Sequence, residues 1–88
     1  MPYIKQEDRY TLRDLTSCIN DTTLASPGEL NYIITMLCRK YYNNIKRSNY
    51  QGINDIVGAL EGAKLEFYRR VASPYEDVKN KINGDVYD

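Results

Sequence analysis

The side chains that could do chemistry are carboxylates, thiols and cations, because the 88-residue chain contains no His. It therefore lacks the residue that most often shuttles protons or binds a metal near neutral pH. Cys18 and Cys38 are far apart in the sequence, and two thiols alone do not complete a structural zinc site. We expect no metal and no cofactor.

Carboxylates in the second half of the chain are the remaining candidates for catalysis. Glu61 and Glu66 are five residues apart, so they point in different directions on a helix. No nucleophile elbow, phosphate-binding loop or dinucleotide-binding Gly pattern is present. We expect no enzymatic activity, and a helical enzyme that uses an acidic cluster is the remaining catalytic alternative. That cluster would contain Glu61, Glu66, Glu76, Asp77 and Asp85.

The elements that must position these side chains are helices, because the apolar residues repeat with the helical period. Ser26 and Glu29 have the spacing of a capping box, and Ser73 and Glu76 repeat it. Gly84 is a suitable stop for a last helix. The pattern predicts an all-α fold, a small bundle of about four helices at residues 7–20, 27–47, 52–72 and 74–82.

At this length the chain has room for one core, so we expect one helical domain over residues 1–88. Its last residues, 84–88, form a short acidic tail. Such a thin core favours self-association. No apolar run reaches the roughly 20 residues of a membrane span, and the first residues do not resemble a signal peptide. We therefore expect a cytoplasmic protein with both thiols reduced.

The charge is uneven along the chain, although 12 basic and 12 acidic residues sum to zero. Residues 30–54 contain four basic residues and no acidic one, while residues 74–88 contain four acids and two Lys. On the second helix, a polar face opposes the apolar stripe. A solvated helix face is one interpretation, and a surface for a partner protein or for phosphates and bases is another. This face contains Tyr32, Met36, Arg39, Lys40, Asn43, Lys46 and Arg47.

The third helix has two further features. Lys64 falls within its apolar stripe, so the ammonium must reach solvent or meet a carboxylate such as Glu61, Glu76 or Asp77. Lys64, Arg69 and Arg70 are the candidate anion-binding residues, and Glu66 and Arg70 have the spacing of an i,i+4 ion pair. On the opposite side, two glycines share a face with a leucine, which predicts close approach of another helix of this chain or of a second copy. These are Gly58, Gly62 and Leu65.

Five segments of the sequence resemble a known family: MPYI, GELNYIIT, IVGALEGAKLEFYRR, SPYEDVK and NGDVY. They are similar to small uncharacterised proteins from phages, bacteria and archaea. The resemblance covers nearly the whole chain and is weakest at residues 12–25. It implies a microbial or viral intracellular protein, in the host cytoplasm if viral, and it implies no activity and no catalytic residues.

Two functional hypotheses follow. The first is a non-enzymatic helical binding protein that forms a homo-oligomer and acts by contact with a partner protein, such as a phage-type inhibitor that sequesters a host component. The second is binding of a nucleotide, a cyclic nucleotide or a short nucleic acid through Lys, Arg and Tyr side chains.

Overall fold

The structure, a computed structural model, describes residues 2–44 and 50–87, and every regular element in these ranges is helical. The all-α prediction is confirmed. The helices are α1 (Gln6–Tyr10), α2 (Arg13–Asp21), α3 (Pro27–Asn44), α4 (Tyr50–Phe67) and α5 (Ser73–Asn83), with a π-helical turn (Tyr68–Ala72) between α4 and α5.

The first predicted helix is divided into α1 and α2 by a turn at Thr11 and Leu12. Leu12 has φ −105° and ψ 8°, outside the helical region. The Thr11 hydroxyl donates a hydrogen bond to the Asp8 carbonyl over 2.8 Å. Such local side-chain bonds compete with the helical hydrogen-bond ladder, which explains why the apolar period alone did not show the break.

The start of α3 is confirmed as a capping box. The Glu29 backbone N–H donates to the Ser26 hydroxyl over 3.1 Å, and the Glu29 carboxylate accepts from the Ala25 backbone N–H over 3.2 Å. The bond to Ser26 satisfies a backbone donor that the first turn of a helix leaves unpaired, and the bond from Ala25 ties the residue before the cap to the same turn. The sequence-derived start of this helix is therefore correct.

The predicted break at Ser73 is absent. Ser73 has helical φ and ψ values of −61° and −48°, and its backbone N–H donates to the Tyr68 carbonyl, five residues back. Pro74 has no N–H, and in a regular α-helix its ring would clash with the carbonyl of Arg70. The wider π turn accommodates this proline, so α4 and α5 form one continuous helical run. The run ends where predicted, at Gly84 with φ +92°.

The chain divides into two compact units, residues 3–57 and the part from residue 58 onward. In the first unit, α3 contacts the start of α4, where Gly52 is buried and Ile34, Cys38 and Ile56 are half-buried. The Tyr41 hydroxyl donates to Asp55 across these helices over 3.1 Å. In the second unit, the half-buried residues are Gly62, Glu66, Ala72 and Ser73.

The predicted apolar stripes exist, but most of their side chains are exposed and the others are only half-buried. None of the described hydrophobic side chains is buried. Leu12, Leu15 and Ile19 of the first stripe are each close to half exposed. Both cysteines are free thiols, with Cys18 exposed and Cys38 half-buried. In residues 2–44 and 50–87, no helix is long and apolar enough to cross a membrane.

Candidate functional site

The polar face of α3 is the most varied exposed surface of the first unit. Tyr32, Met36, Arg39 and Asn43 follow one another at spacings of three or four residues, and all are exposed. The Arg39 guanidinium lies 3.8 Å from the Met36 sulfur, so the two side chains form one patch. Lys40 lies beside this patch. We call these five residues the α3 face; the predicted members Lys46 and Arg47 lie outside the described residues.

Of the three candidate anion-binding cations of the second unit, Lys64 and Arg69 are engaged by carboxylates one turn away, and Arg70 is exposed. The Lys64 ammonium lies 3.7 Å from the Glu61 carboxylate, and its side chain is 72% exposed. The Arg69 guanidinium donates to Glu66 over 2.7 Å, so the ion pair of Glu66 forms with Arg69, one residue before the expected Arg70. Exposed pairs of this kind contribute little to stability, but they reduce the positive charge available to an anion.

Glu76 is bound to a tyrosine rather than to Lys64. The Tyr68 hydroxyl donates to the Glu76 carboxylate over 2.8 Å. This bond and the negative charge of Glu76 raise the pKa of Tyr68, since both favour the neutral phenol. The bond spans the π turn, and Asp77 beside it is exposed.

A similar tyrosine–carboxylate bond joins α3 to α4. Asp55 accepts from the Tyr41 hydroxyl and, over 2.7 Å, from the Gln51 side-chain amide. The bond to Asp55 raises the pKa of Tyr41. Sequence analysis missed both tyrosine bonds. The i,i+4 spacing of Gln51 and Asp55 could have predicted the hydrogen bond between their side chains. No sequence pattern indicated that Tyr41, on another helix, would pair with Asp55.

Within the described chain, no three His, Cys, Asp or Glu side chains come close enough to hold a metal ion. Asp85 accepts a hydrogen bond from the Tyr87 backbone N–H over 2.9 Å. This bond, with a further one from the Asn80 side chain, lowers the pKa of Asp85 because it favours the carboxylate.

The glycine side of α4 is open at Gly58. A methyl group built at this position would have no atom within 4 Å. Leu65 on the same side is 59% exposed, and Gly62 is half-buried. Among the described residues, no segment outside this helix approaches Gly58 closely.

These features define a small all-α protein whose described hydrophobic side chains are exposed or only half-buried. The chain belongs to the family described as a domain of unknown function (DUF6899), whose model matches residues 1–86. No curated protein matches the chain, and neither does any solved structure.

Proposed function

We propose that this chain is a non-enzymatic helical binding protein that self-associates and acts by contact with a partner protein. The observation that supports it most directly is the exposure of its apolar side chains. Phe67, Val71 and Tyr75 are each at least half exposed, and none of the described hydrophobic side chains is buried. Helices gain most of their stability in proteins from packing of an apolar face, so these helices need a covering surface.

The α3 face supplies a surface for a different partner. Tyr, Met and Arg are enriched where proteins contact one another, because they combine apolar area with a polar or polarisable group. Tyr32, Met36 and Arg39 present these three types on one exposed face. The residue types therefore suit contact with a protein surface.

Self-association is tested by light scattering over a range of protein concentrations, together with the melting temperature at each concentration. We expect a mass above that of one chain and a melting temperature that rises with concentration, because association stabilises the folded chain by mass action. A constant mass of about one chain at high micromolar concentration would refute the proposal.

Partner contact is tested by affinity capture from the native host, treated with nuclease, with three forms of the protein. We expect a protein captured by the unchanged chain to be lost with Arg39→Glu. A Lys5→Glu variant, with the same charge change away from the α3 face, should retain it. Equal capture by all three forms would contradict a role for the α3 face.

Binding of a nucleotide or short nucleic acid is the alternative, and the structure favours it less. It needs cations near aromatic rings. Lys64 and Arg69 are each engaged by a glutamate, whereas Lys79 lies 5.7 Å from the centroid of the Tyr75 ring. A nucleotide that binds the folded chain would raise its melting temperature, and retention of nucleic acid would weaken as salt rises. Both effects would support the alternative.

The cellular setting is also a proposal. The likeness of the sequence to small phage, bacterial and archaeal proteins supports an intracellular role, in the host cytoplasm for a viral member. Inhibition or sequestration of a host component is a role that a small contact protein can perform without catalysis. Fractionation of the native host and location of the gene within a viral or cellular genome test this setting.

A further inference from the structure

The helical run from α4 through the π turn to α5 carries an apolar stripe with an unusual spacing. Its residues recur at intervals of three, four, four, four and three. This order reads the same in both directions, and its centre is Arg69, within the π turn. The stripe consists of Leu60, Ala63, Phe67, Val71, Tyr75 and Val78.

The π turn keeps these residues on one face. Each residue of an α-helix is rotated about 100° from the last, so a step of four residues overshoots a full turn by roughly 40°. Three such steps in succession, from Ala63 to Tyr75, would shift the stripe by about 120° around a regular α-helix. The turn at Tyr68–Ala72 contains a five-residue hydrogen bond, and its wider coil offsets that drift.

We propose that this stripe is the seam of an antiparallel homodimer, formed by two copies of the α4–α5 helical run. The inference depends on the proposed self-association and specifies its interface. In a twofold interface residue i contacts residue j and j contacts i, so an antiparallel helix pair needs a spacing that is symmetric about its centre. The spacing of the stripe is symmetric in this way. Binding to a helix of a different protein would not require such symmetry, so the spacing favours a second copy of this chain.

The side chains that face one another across this seam are complementary in size. With the twofold axis at Arg69, Phe67 of one copy faces Val71 of the other, and Leu60 faces Val78. The small Ala63 faces the large Tyr75, an alternation that fills the space between helices.

The symmetry extends one step further at each end of the stripe. Ile56 lies four residues before Leu60, and Ile82 lies four residues after Val78. These two isoleucines would face one another as the outermost pair, in which Ile82 is 68% exposed and Ile56 is already half-buried. In this register the basic flanking residues Lys79 and Lys81 fall opposite Ala59 and Val57, while the acidic flanking residues Glu61 and Asp77 fall opposite one another.

The exposed area is close to what a stable dimer needs. The large side chains from Leu60 to Ile82 on this face are 43–68% exposed. With aromatic side chains burying 150–250 Å² and aliphatic ones somewhat less, they offer on the order of 600 Å² per copy. A standard interface buries about 800 Å² per partner, including a polar rim. The stripe thus supplies most of an interface core.

Cross-linking tests the direction and register of the seam. Leu60→Cys and Val78→Cys are made separately in a background with Cys18→Ser and Cys38→Ala, and the two chains are co-expressed with different tags. After mild oxidation we expect disulfides between the two different chains. Chains with Leu60→Cys alone should not cross-link. In the antiparallel pair Leu60 of one copy faces Val78 of the other, so the two Leu60 positions lie about 27 Å apart along the seam, whereas a disulfide needs Cα atoms within about 7 Å.

Cross-linking of Leu60→Cys with itself would overturn the antiparallel arrangement, and failure of the mixed pair to cross-link while the unchanged protein is a dimer would overturn the seam. A monomeric unchanged protein in light scattering would instead refute self-association, and the seam with it. The two failures are therefore distinguishable.

A pair of charge substitutions identifies the face. We expect Val71→Glu to raise the protein concentration at which half of the chains are dimeric at least tenfold, because it places a carboxylate at the centre of the seam. Leu65→Glu makes a similar change on the glycine side of the same helix, where Leu65 is 59% exposed, and should leave the dimer intact. If Leu65→Glu dissociates the dimer and Val71→Glu does not, association takes place through the side of the helix that contains Gly58, Gly62 and Leu65.

Discussion

Replacement of Gly58 by Ala tests whether anything lies against the glycine side of α4. Gly58 is inside a helix, and a methyl group there has no neighbour within 4 Å. Gly costs about 1 kcal/mol relative to Ala in a helix interior, so Gly58→Ala should stabilise the protein by about that amount. For a domain of this size, 1 kcal/mol corresponds to a rise in melting temperature of roughly 4–8 °C.

The assay is thermal unfolding followed by circular dichroism at one fixed protein concentration, with light scattering of the same samples. Gly84→Ala is the matched control, because Gly84 has φ +92° and a Cβ there is strained. It should therefore lower the melting temperature while Gly58→Ala raises it. A loss of both stability and association in Gly58→Ala would refute the reasoning, since it would show that another chain packs on Gly58.

Three further predictions concern single hydrogen bonds. Ser26→Ala removes the cap of α3 and should destabilise the protein by about 1 kcal/mol in urea unfolding, whereas Ser26→Asp should restore most of the loss. Tyr68→Phe should remove one late-titrating phenol from the ultraviolet titration of the nine tyrosines, because the Glu76 bond raises the pKa of Tyr68. Because the folded pKa is raised, this bond stabilises the fold below the ordinary tyrosine pKa of 10.0. The stabilisation is lost as pH rises through the folded pKa of Tyr68. An alkaline titration that is the same with and without Tyr68→Phe would contradict the prediction. The pKa of Asp85 is lowered, so its hydrogen bonds should stabilise the folded protein above the ordinary pKa of 3.8, and this stabilisation should be lost as pH falls through the lower folded pKa. An NMR titration that gives the Asp85 carboxyl an ordinary midpoint would contradict this prediction.

Local sequence signals predicted the ends of helices well. The start of α3 follows from Ser26 and Glu29, and the end of α5 follows from Gly84, because each depends on residues within one helical turn. The same reasoning failed at Ser73, where the capping pattern is present but the chain remains helical. The π turn accommodates Pro74 within a continuous helix. The capping pattern alone does not distinguish a helix break at Ser73 from continuation through a π turn.

The candidate site was predicted unevenly for a similar reason. Lys64 was expected to reach solvent or to meet one of three carboxylates, and its partner is Glu61, one turn away on the same helix. Glu76, another of those candidates, instead accepts a hydrogen bond from Tyr68 across the π turn. Pairs within one regular turn follow from spacing alone, whereas pairs across an irregular turn depend on its geometry.

Sequence alone determined the helical class of this protein, the capped start of α3, the glycine stop of α5 and the apolar stripe on each helix, because these depend on local spacing and backbone preferences. Only the tertiary structure decided that the described apolar stripes remain exposed, that Tyr41 of α3 bonds to Asp55 of α4, and that α4 continues through a π turn into α5. Burial and long-range pairing depend on which surfaces meet in space, and residue spacing along one chain does not specify that.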